Sequence, residues 1–179
     1  KNIDEVEIEN FLKLLLENHS LRQLNIIDDN NKGKYSSVLK LINKAVTNMG
    51  KRKLEYTLLN PTTDVDFLQK EYNMTEFLLE NNESISRIRD KLKEIHDIEK
   101  YIRMIHLNKF QYTSLNPLKH SLKIIISLYD ELNRLPEIRK YISDYSTDNI
   151  HHMCNEIIDN IDSTFNVELC DNLLIPNKI

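Results

Sequence analysis

Glycine and cysteine are scarce in this chain of 179 residues, and neither has the spacing of a known site. There are two glycines, two cysteines and four prolines. Two glycines argue against a sheet-rich fold with many tight turns and against a glycine-rich phosphate loop, because both use backbone conformations that glycine adopts most easily. Two cysteines cannot make a disulfide framework. No apolar run approaches the roughly 18 residues of a spanning helix, so we predict no membrane partner.

Charge is distributed unevenly along the chain. The net charge is −4, from 24 basic and 28 acidic residues. The segment 32–53 has seven basic residues and no acids, and a basic block can steer a surface toward phosphates. The alternative, favoured for a single-sign block, is a solvated helix face that meets an acidic neighbour. The candidates for weak phosphate contacts are Lys32, Lys34, Lys51, Arg52 and Lys53.

Apolar residues recur at steps of three and four residues almost throughout, which predicts helices. One stripe lies between Ile8 and Leu16, and the most regular one runs from Ile85 to Ile105. The predicted fold is all-α, an irregular bundle of about eight helices in a single domain, 1–179. A short extended strand near 21–27 is the one exception that the pattern allows.

Several residues are expected to begin or end these helices. Ser36 or Ser37 can cap a helix that ends at a left-handed Gly50, with a second short helix following. Asp64 should cap the helix that starts after Pro61. Further helix starts are predicted at Asp97, at Asn116-Pro117, at Pro136 and at Thr147 or Asp148.

No catalytic, cofactor or metal site is predicted from the residues themselves. Gly33-Lys34 resembles the end of a phosphate loop, but Asp28 occupies the position of the first glycine that such a loop requires. His151 and His152 diverge by about 100° on a helix, so they cannot easily share a metal with Cys154. The remaining carboxylates are typical of solvated helix faces.

One segment carries a specific pattern. It runs Thr47-Asn48-Met49-Gly50-Lys51-Arg52-Lys53-Leu54 and continues through Leu58-Leu59-Asn60-Pro61 to Asp64. This resembles the start of the core, or lever, domain of the MutS family of DNA mismatch-repair ATPases. Thr57 stands where the family often has Trp, and Thr62 replaces a Leu, which is typical of a distant member. The residues that match the family motifs are Thr47, Met49, Gly50, Arg52, Leu54, Pro61, Asp64, Asp97 and Glu99.

The resemblance implies a mechanical role inside a longer protein. Members are dimeric clamps on DNA, in which lever helices join a C-terminal ATPase domain to a clamp. The chain resembles the first half of the lever, and 166–179 would approach the clamp insertion. The resemblance therefore implies no enzyme activity for this fragment, ATP and Mg²⁺ only in the parent, DNA bound through other domains, a homo- or heterodimer, and an intracellular location. Arg52 would form a buried or interface ion pair or, alternatively, contact a phosphate.

Two other functions stay open from the sequence. An all-α domain with a basic block and acidic ends could be a protein-interaction scaffold unrelated to DNA repair. It could also be a small enzyme whose site the sequence does not reveal. A nucleotide-binding loop downstream in the parent reading frame would favour the repair function, and turnover by the fragment would favour an enzyme.

Overall fold

A computed structural model describes residues 18–28, 33, 35–145 and 149–165, and all of the regular structure among them is helical. These residues belong to two compact units, Lys1–Glu76 and Phe77–Ile179, which we call the N-terminal and C-terminal units. The all-α prediction is confirmed, and the prediction of a single domain stays a prediction. None of the helices in the described residues is long and apolar enough to cross a membrane.

Nine α-helices and one 3-10 helix are present in the described residues. They are α1 (Asn18–Gln23), α2 (Val38–Ile42), α3 (Asn48–Leu59), α4 (Val65–Glu80), α5 (Asn82–Lys93), α6 (Ile98–His106), the 3-10 turn Tyr112–Ser114, α7 (Leu115–Leu132), α8 (Pro136–Tyr145) and α9 (Ile150–Thr164). The boundary between the two units falls inside α4. The stripe predicted between Ile8 and Leu16 lies outside the described residues.

The strand considered near 21–27 is wrong, because that segment is the end of α1 and a turn. Asn25 has a left-handed φ of 52°. This lets the Ile26 N–H donate to the Leu21 carbonyl (2.9 Å) and the Asn25 N–H to the Arg22 carbonyl (3.0 Å). The pattern is a Schellman ending, with asparagine in the place where glycine is usual. The same pattern, with Asn108 at φ 53°, ends α6.

The predicted left-handed helix end at Gly50 is also wrong. The chain leaves the helical conformation earlier, at Asn43, and α3 begins at Asn48. Thr47 caps α3, and its hydroxyl accepts the N–H of Gly50 at 3.0 Å. Gly50 therefore lies in the first turn of a helix, because the capping hydroxyl of Thr47, three residues before the motif glycine, starts a new helix there.

Other predicted helix starts differ in detail. Ser37 is the residue that caps α2. The helix expected to start at Pro117 begins at Leu115, which leaves the proline in the first turn, where its missing N–H has no helical partner in any case. Asn149 caps α9 by accepting the N–H of His152 at 3.1 Å. Thr147 and Asp148, the predicted caps, lie outside the described residues.

The core of the C-terminal unit is built between α7 and α9. Its buried members are Leu118, Leu122, Cys154, Ile158 and Ile161. Ile98 and Tyr101 of α6 pack against this cluster. The Tyr101 ring meets Phe110 edge to face at a centroid distance of 5.8 Å. Helix α7 is therefore the element around which this unit is assembled.

Candidate functional site

The motif segment 47–64 holds helix α3 and the residue that caps α4. In addition to the Thr47 cap, the side-chain amide of Asn43 donates to the Lys51 carbonyl at 3.1 Å. This bond attaches the segment between α2 and α3 to α3 itself. A Cβ added at Gly50 would lie 2.9 Å from the Thr47 hydroxyl. Glycine thus allows the cap and the helix backbone to approach closely. Met49 and Leu54, the apolar motif residues, are half-buried.

The second half of the motif turns the chain from α3 into α4. Asn60 ends α3 and precedes Pro61. The Asp64 carboxylate accepts the N–H of Phe67 at 3.0 Å, and the Thr62 hydroxyl accepts the N–H of Asp64 at 3.1 Å. The predicted cap at Asp64 is confirmed. The side chains of Thr62 and Asp64 are thus both used in hydrogen bonds at the start of α4.

The basic residues of α3 do not converge on one surface. Lys51, Arg52 and Lys53 are exposed and successive, so they leave the helix about 100° apart. Arg52 is exposed in this chain, so the buried or interface ion pair and the alternative phosphate contact considered for it stay predictions. The ammonium of Lys53 lies 5.9 Å from the centre of the Tyr56 ring. The side chains of Lys51, Arg52 and Lys53 therefore cannot surround one phosphate within α3 alone.

The rest of the basic block includes one neutralised lysine. The Lys40 ammonium lies 3.1 Å from the Asp28 carboxylate, which is 10% exposed. This contact matches the interpretation in which the block meets an acidic neighbour. Lys32 and Lys34 lie outside the described residues, so their role as phosphate contacts stays a prediction.

In the C-terminal unit, α7 is attached to the connection between α5 and α6 by a buried hydroxyl. Ser121 is completely buried. Its oxygen donates to the Pro117 carbonyl at 2.7 Å and accepts the backbone N–H of His96 at 3.0 Å. The predicted cap Asp97 follows directly, accepts the N–H of Lys100 at 3.0 Å and is confirmed. The motif residue Glu99 lies exposed in the first turn of α6.

An ion pair attaches α5 to α7. The Lys91 ammonium lies 2.7 Å from the Glu131 carboxylate and 3.2 Å from the Ser127 hydroxyl. The hydrogen bond from Lys91 lowers the pKa of Glu131 below its ordinary value of 4.5; burial opposes this shift, and the nearby positive charges reinforce it.

Two further polar contacts attach α9 to α7. Lys119 pairs with Asp162. The Nε2 of His151 lies 2.6 Å from the Asp130 carboxylate, and its ring meets Tyr129 at a centroid distance of 5.9 Å. Helix α7 therefore has polar contacts with three neighbouring segments in addition to its apolar core.

None of these inter-helix contacts was predicted from the sequence, and only Ser121 carries a signal that could have been noticed. Ser121 is a polar residue on the Leu118–Leu122 face of an apolar helix, and such a residue needs a partner once it is buried. Nothing nearby in the sequence indicates which partner. Among the described residues no group of three or more His, Cys, Asp or Glu side chains could hold a metal ion.

Comparison with known proteins gives a consistent set of relatives. The family model described as MutS domain III matches residues 19–176. The DNA mismatch repair protein MutS of Rickettsia prowazekii is 34% identical over 142 residues, which are 74% of this chain and 16% of that protein. MutS of Caldanaerobacter subterraneus subsp. tengcongensis is 30% identical over 148 residues, 82% of this chain and 15% of that protein. The chain thus spans about 15% of the length of such curated relatives. No solved structure gives a significant match.

Proposed function

Because this chain belongs to the MutS domain III family, we propose that it is the helical lever of a longer DNA mismatch-repair protein. In this role it couples nucleotide hydrolysis in one domain to clamping of DNA by another. The chain itself needs no active site for such work. Its parent would use ATP and Mg²⁺, act as a homo- or heterodimer and bind DNA through its other domains inside the cell.

The observation that carries the proposal is the attachment of α7 on several sides. A lever transmits displacement only if its helices move together, since coupling travels through packed and hydrogen-bonded elements. The buried Ser121 holds the α5–α6 connection, Lys91 of α5 reaches Glu131, and Lys119 reaches Asp162 of α9. These contacts support a C-terminal unit that responds as one body.

The motif segment supports the same role in a different way. Its polar residues, Thr47 and Asp64, are used in helix caps. A segment of this kind fixes where helices begin and end, which suits a transmitting element better than a catalytic one. Lys51, Arg52 and Lys53 are exposed, and we propose that any contact they make with DNA phosphates is weak, because they point in different directions.

The experiment is to measure ATP turnover of the full-length parent with and without heteroduplex DNA. The test variant is Ser121→Ala, and the matched control is Ser143→Ala, whose hydroxyl donates to the nearby Lys140 carbonyl on the exposed side of α8. We expect basal turnover within about twofold of wild type in both and a loss of DNA-dependent stimulation in Ser121→Ala only.

Equal stimulation in the variant and wild type would contradict the coupling role. The variant Lys119→Met, which removes a different α7 contact, gives an independent test if Ser121→Ala does not fold. A parent reading frame without a nucleotide-binding loop would contradict the repair function itself. The scaffold function would then be favoured by the large exposed apolar residues, such as Tyr35 and Leu24.

A further inference from the structure

Positive charge is concentrated in the C-terminal unit where α5 meets the second half of α7. Arg87 and Lys91 are one turn apart on α5. Ser127 and Glu131 are one turn apart on α7. The Lys91 ammonium connects the two helices, because it lies 2.7 Å from the Glu131 carboxylate and 3.2 Å from the Ser127 hydroxyl.

A third cation approaches the same carboxylate from the turn after α7. Arg134 follows Glu131 by three residues, and its backbone N–H donates to the Glu131 carbonyl at 3.3 Å. The hydrogen bond from Lys91 is the main cause of the lowered pKa of Glu131, and the positive charges of Lys91, Arg87 and Arg134 lower it further against the effect of burial. Both guanidinium groups are therefore close enough to act on this carboxylate. We call Arg87, Lys91, Ser127 and Arg134 the α5–α7 basic cluster.

The cluster has more positive charge than its carboxylate can neutralise. Three cations and one carboxylate, Glu131, leave two positive charges in excess. Among the described residues neither Arg87 nor Arg134 has a partner in an ion pair, and both side chains are exposed. Two guanidinium groups on one side of the unit are thus accessible to an anion from outside.

The neighbouring acids do not supply the missing negative charge. The Asp90 carboxylate lies 2.7 Å from the ammonium of Lys93 on the same helix. The Asp130 carboxylate lies 2.6 Å from His151 of α9. Both carboxylates therefore interact with other side chains, and the excess charge of the cluster remains.

The donor groups of the cluster suit phosphate oxygens. Each guanidinium group presents a planar set of N–H donors that matches a phosphate, and the Ser127 hydroxyl accepts from Lys91 while its own proton can be donated. Arg87, Ser127 and Arg134 are exposed on the helical surface. A small phosphate ligand is usually enclosed by its site, whereas exposed donors are typical of contacts with a nucleic-acid backbone.

We propose that the α5–α7 basic cluster contacts backbone phosphates of the DNA on which the parent protein acts. The C-terminal unit then touches DNA directly, in addition to the binding proposed above for the other domains. The inference rests on the proposed function in one respect, that the parent acts on DNA, since an acidic protein segment could satisfy the same charges. Such a contact positions the unit on the duplex without reading its sequence.

The experiment is to measure the affinity of the full-length parent for duplex DNA at several salt concentrations. In Arg87→Gln/Arg134→Gln the slope of log K against log salt concentration should become less steep by about 1–2, because each lost phosphate contact removes about 0.9. The matched control is Lys100→Gln/Arg103→Gln, which removes the same charge from exposed positions on α6. Its slope should equal that of wild type.

A second variant adds positive charge instead of removing it. Glu131→Gln frees Lys91 from its ion pair, so the slope should become steeper by up to about 1 although a contact between helices is lost. Glu156→Gln, at an exposed position on α9, makes the same change in net charge and should leave the slope unchanged. A cluster that only held the helices together would not bind DNA with a steeper salt dependence after this change.

Hydrogen exchange identifies the source of the phosphate. Duplex DNA should slow exchange of amides in 85–93 and 127–134 of the wild-type parent, and inorganic phosphate at matched ionic strength should not. The inference is overturned by protection from inorganic phosphate or an acidic protein segment alone, by unchanged slopes, or by equal slope changes in the two double variants.

The proposed function and this inference can fail separately. Expected slopes in a parent whose ATP turnover is not stimulated by DNA would contradict the lever function and leave the contact site in place. Unchanged slopes in a parent that is stimulated by DNA would contradict the contact site alone.

Discussion

The hydroxyl oxygen of Ser121 accepts the backbone N–H of His96 at 3.0 Å, although the two residues are 25 positions apart. The contact joins the middle of α7 to the connection before α6. It also explains why a serine occupies a fully buried position between Leu118 and Leu122. A hydrogen bond in this place fixes the position of a helix start, because Asp97, the cap of α6, is the next residue.

Removing this hydroxyl should destabilise the protein. In Ser121→Ala the His96 N–H loses its acceptor, and an unmet partly buried donor costs about 1–3 kcal/mol. Urea unfolding followed by circular dichroism measures the loss. The control Ser143→Ala, at an exposed position, should stay within about 0.5 kcal/mol of wild type. Equal stability of Ser121→Ala and wild type would contradict the structural role of the contact.

The cap at Thr47 gives a second prediction. Thr47→Ala removes the acceptor of the Gly50 N–H and should cost about 1 kcal/mol of unfolding free energy. Thr57→Ala is the matched control, because its hydroxyl bonds to the Lys53 carbonyl within the exposed part of α3. If both variants lose the same amount, the capping role of Thr47 is wrong.

Gly50 should respond to substitution in a way that depends on Thr47. An alanine there improves helix propensity by about 1 kcal/mol, but its Cβ would lie 2.9 Å from the Thr47 hydroxyl and disturb the cap. We expect Gly50→Ala to be clearly less favourable in the wild type than in a Thr47→Ala background. A double-mutant cycle of thermal or urea unfolding measures this difference. An additive cycle would show that the two residues do not interact.

The Lys91–Glu131 pair should make stability depend on pH. The folded protein holds the pKa of Glu131 below 4.5, so the pair stabilises fully above that value and progressively less as the pH falls through the lowered pKa. Lys91→Met should therefore cost up to about 1 kcal/mol near neutral pH, since the pair is partly exposed, and less in acid.

Unfolding curves at several pH values check this prediction. The matched control is Lys93→Met, whose partner Asp90 lies on the same helix at 2.7 Å with both side chains well exposed. Its effect should be near zero at every pH. If Lys91→Met lowers the unfolding free energy as much in acid as near neutral pH, the stabilising role assigned to the Lys91–Glu131 pair is wrong.

Cys154 should be protected from thiol reagents. Burial raises the pKa of its thiol, and both the smaller thiolate fraction and the lack of access slow alkylation. In a Cys170→Ser background we expect Cys154 to be labelled about 100-fold more slowly than an exposed cysteine on the same helix. That reference is Met153→Cys, made with Cys154→Ser and Cys170→Ser, at a position 51% exposed. Equal labelling rates for Cys154 and the Met153→Cys reference would mean that the reagent reaches the core between α7 and α9.

Much of the local structure could be predicted from residues that are close in sequence. The caps at Ser37, Asp64 and Asp97 and the start of α8 at Pro136 were predictable, because a capping side chain reaches only two or three residues. The errors were at the ends of α1 and α2. Because the chain has few glycines, few helix ends can be recognised in the sequence. At the end of α1, Asn25 takes the left-handed conformation that glycine usually takes.

What the sequence by itself determined was the helical class, most helix starts and the family motif, since each depends on periodic or neighbouring residues. Tertiary structure alone decided which faces are covered and which polar groups meet. The partners Lys91 and Glu131 are 40 positions apart, and no local pattern couples them. The same holds for Val65, Tyr72 and Leu79 of α4: their apolar character is visible in the sequence, but only the three-dimensional structure shows that they are exposed.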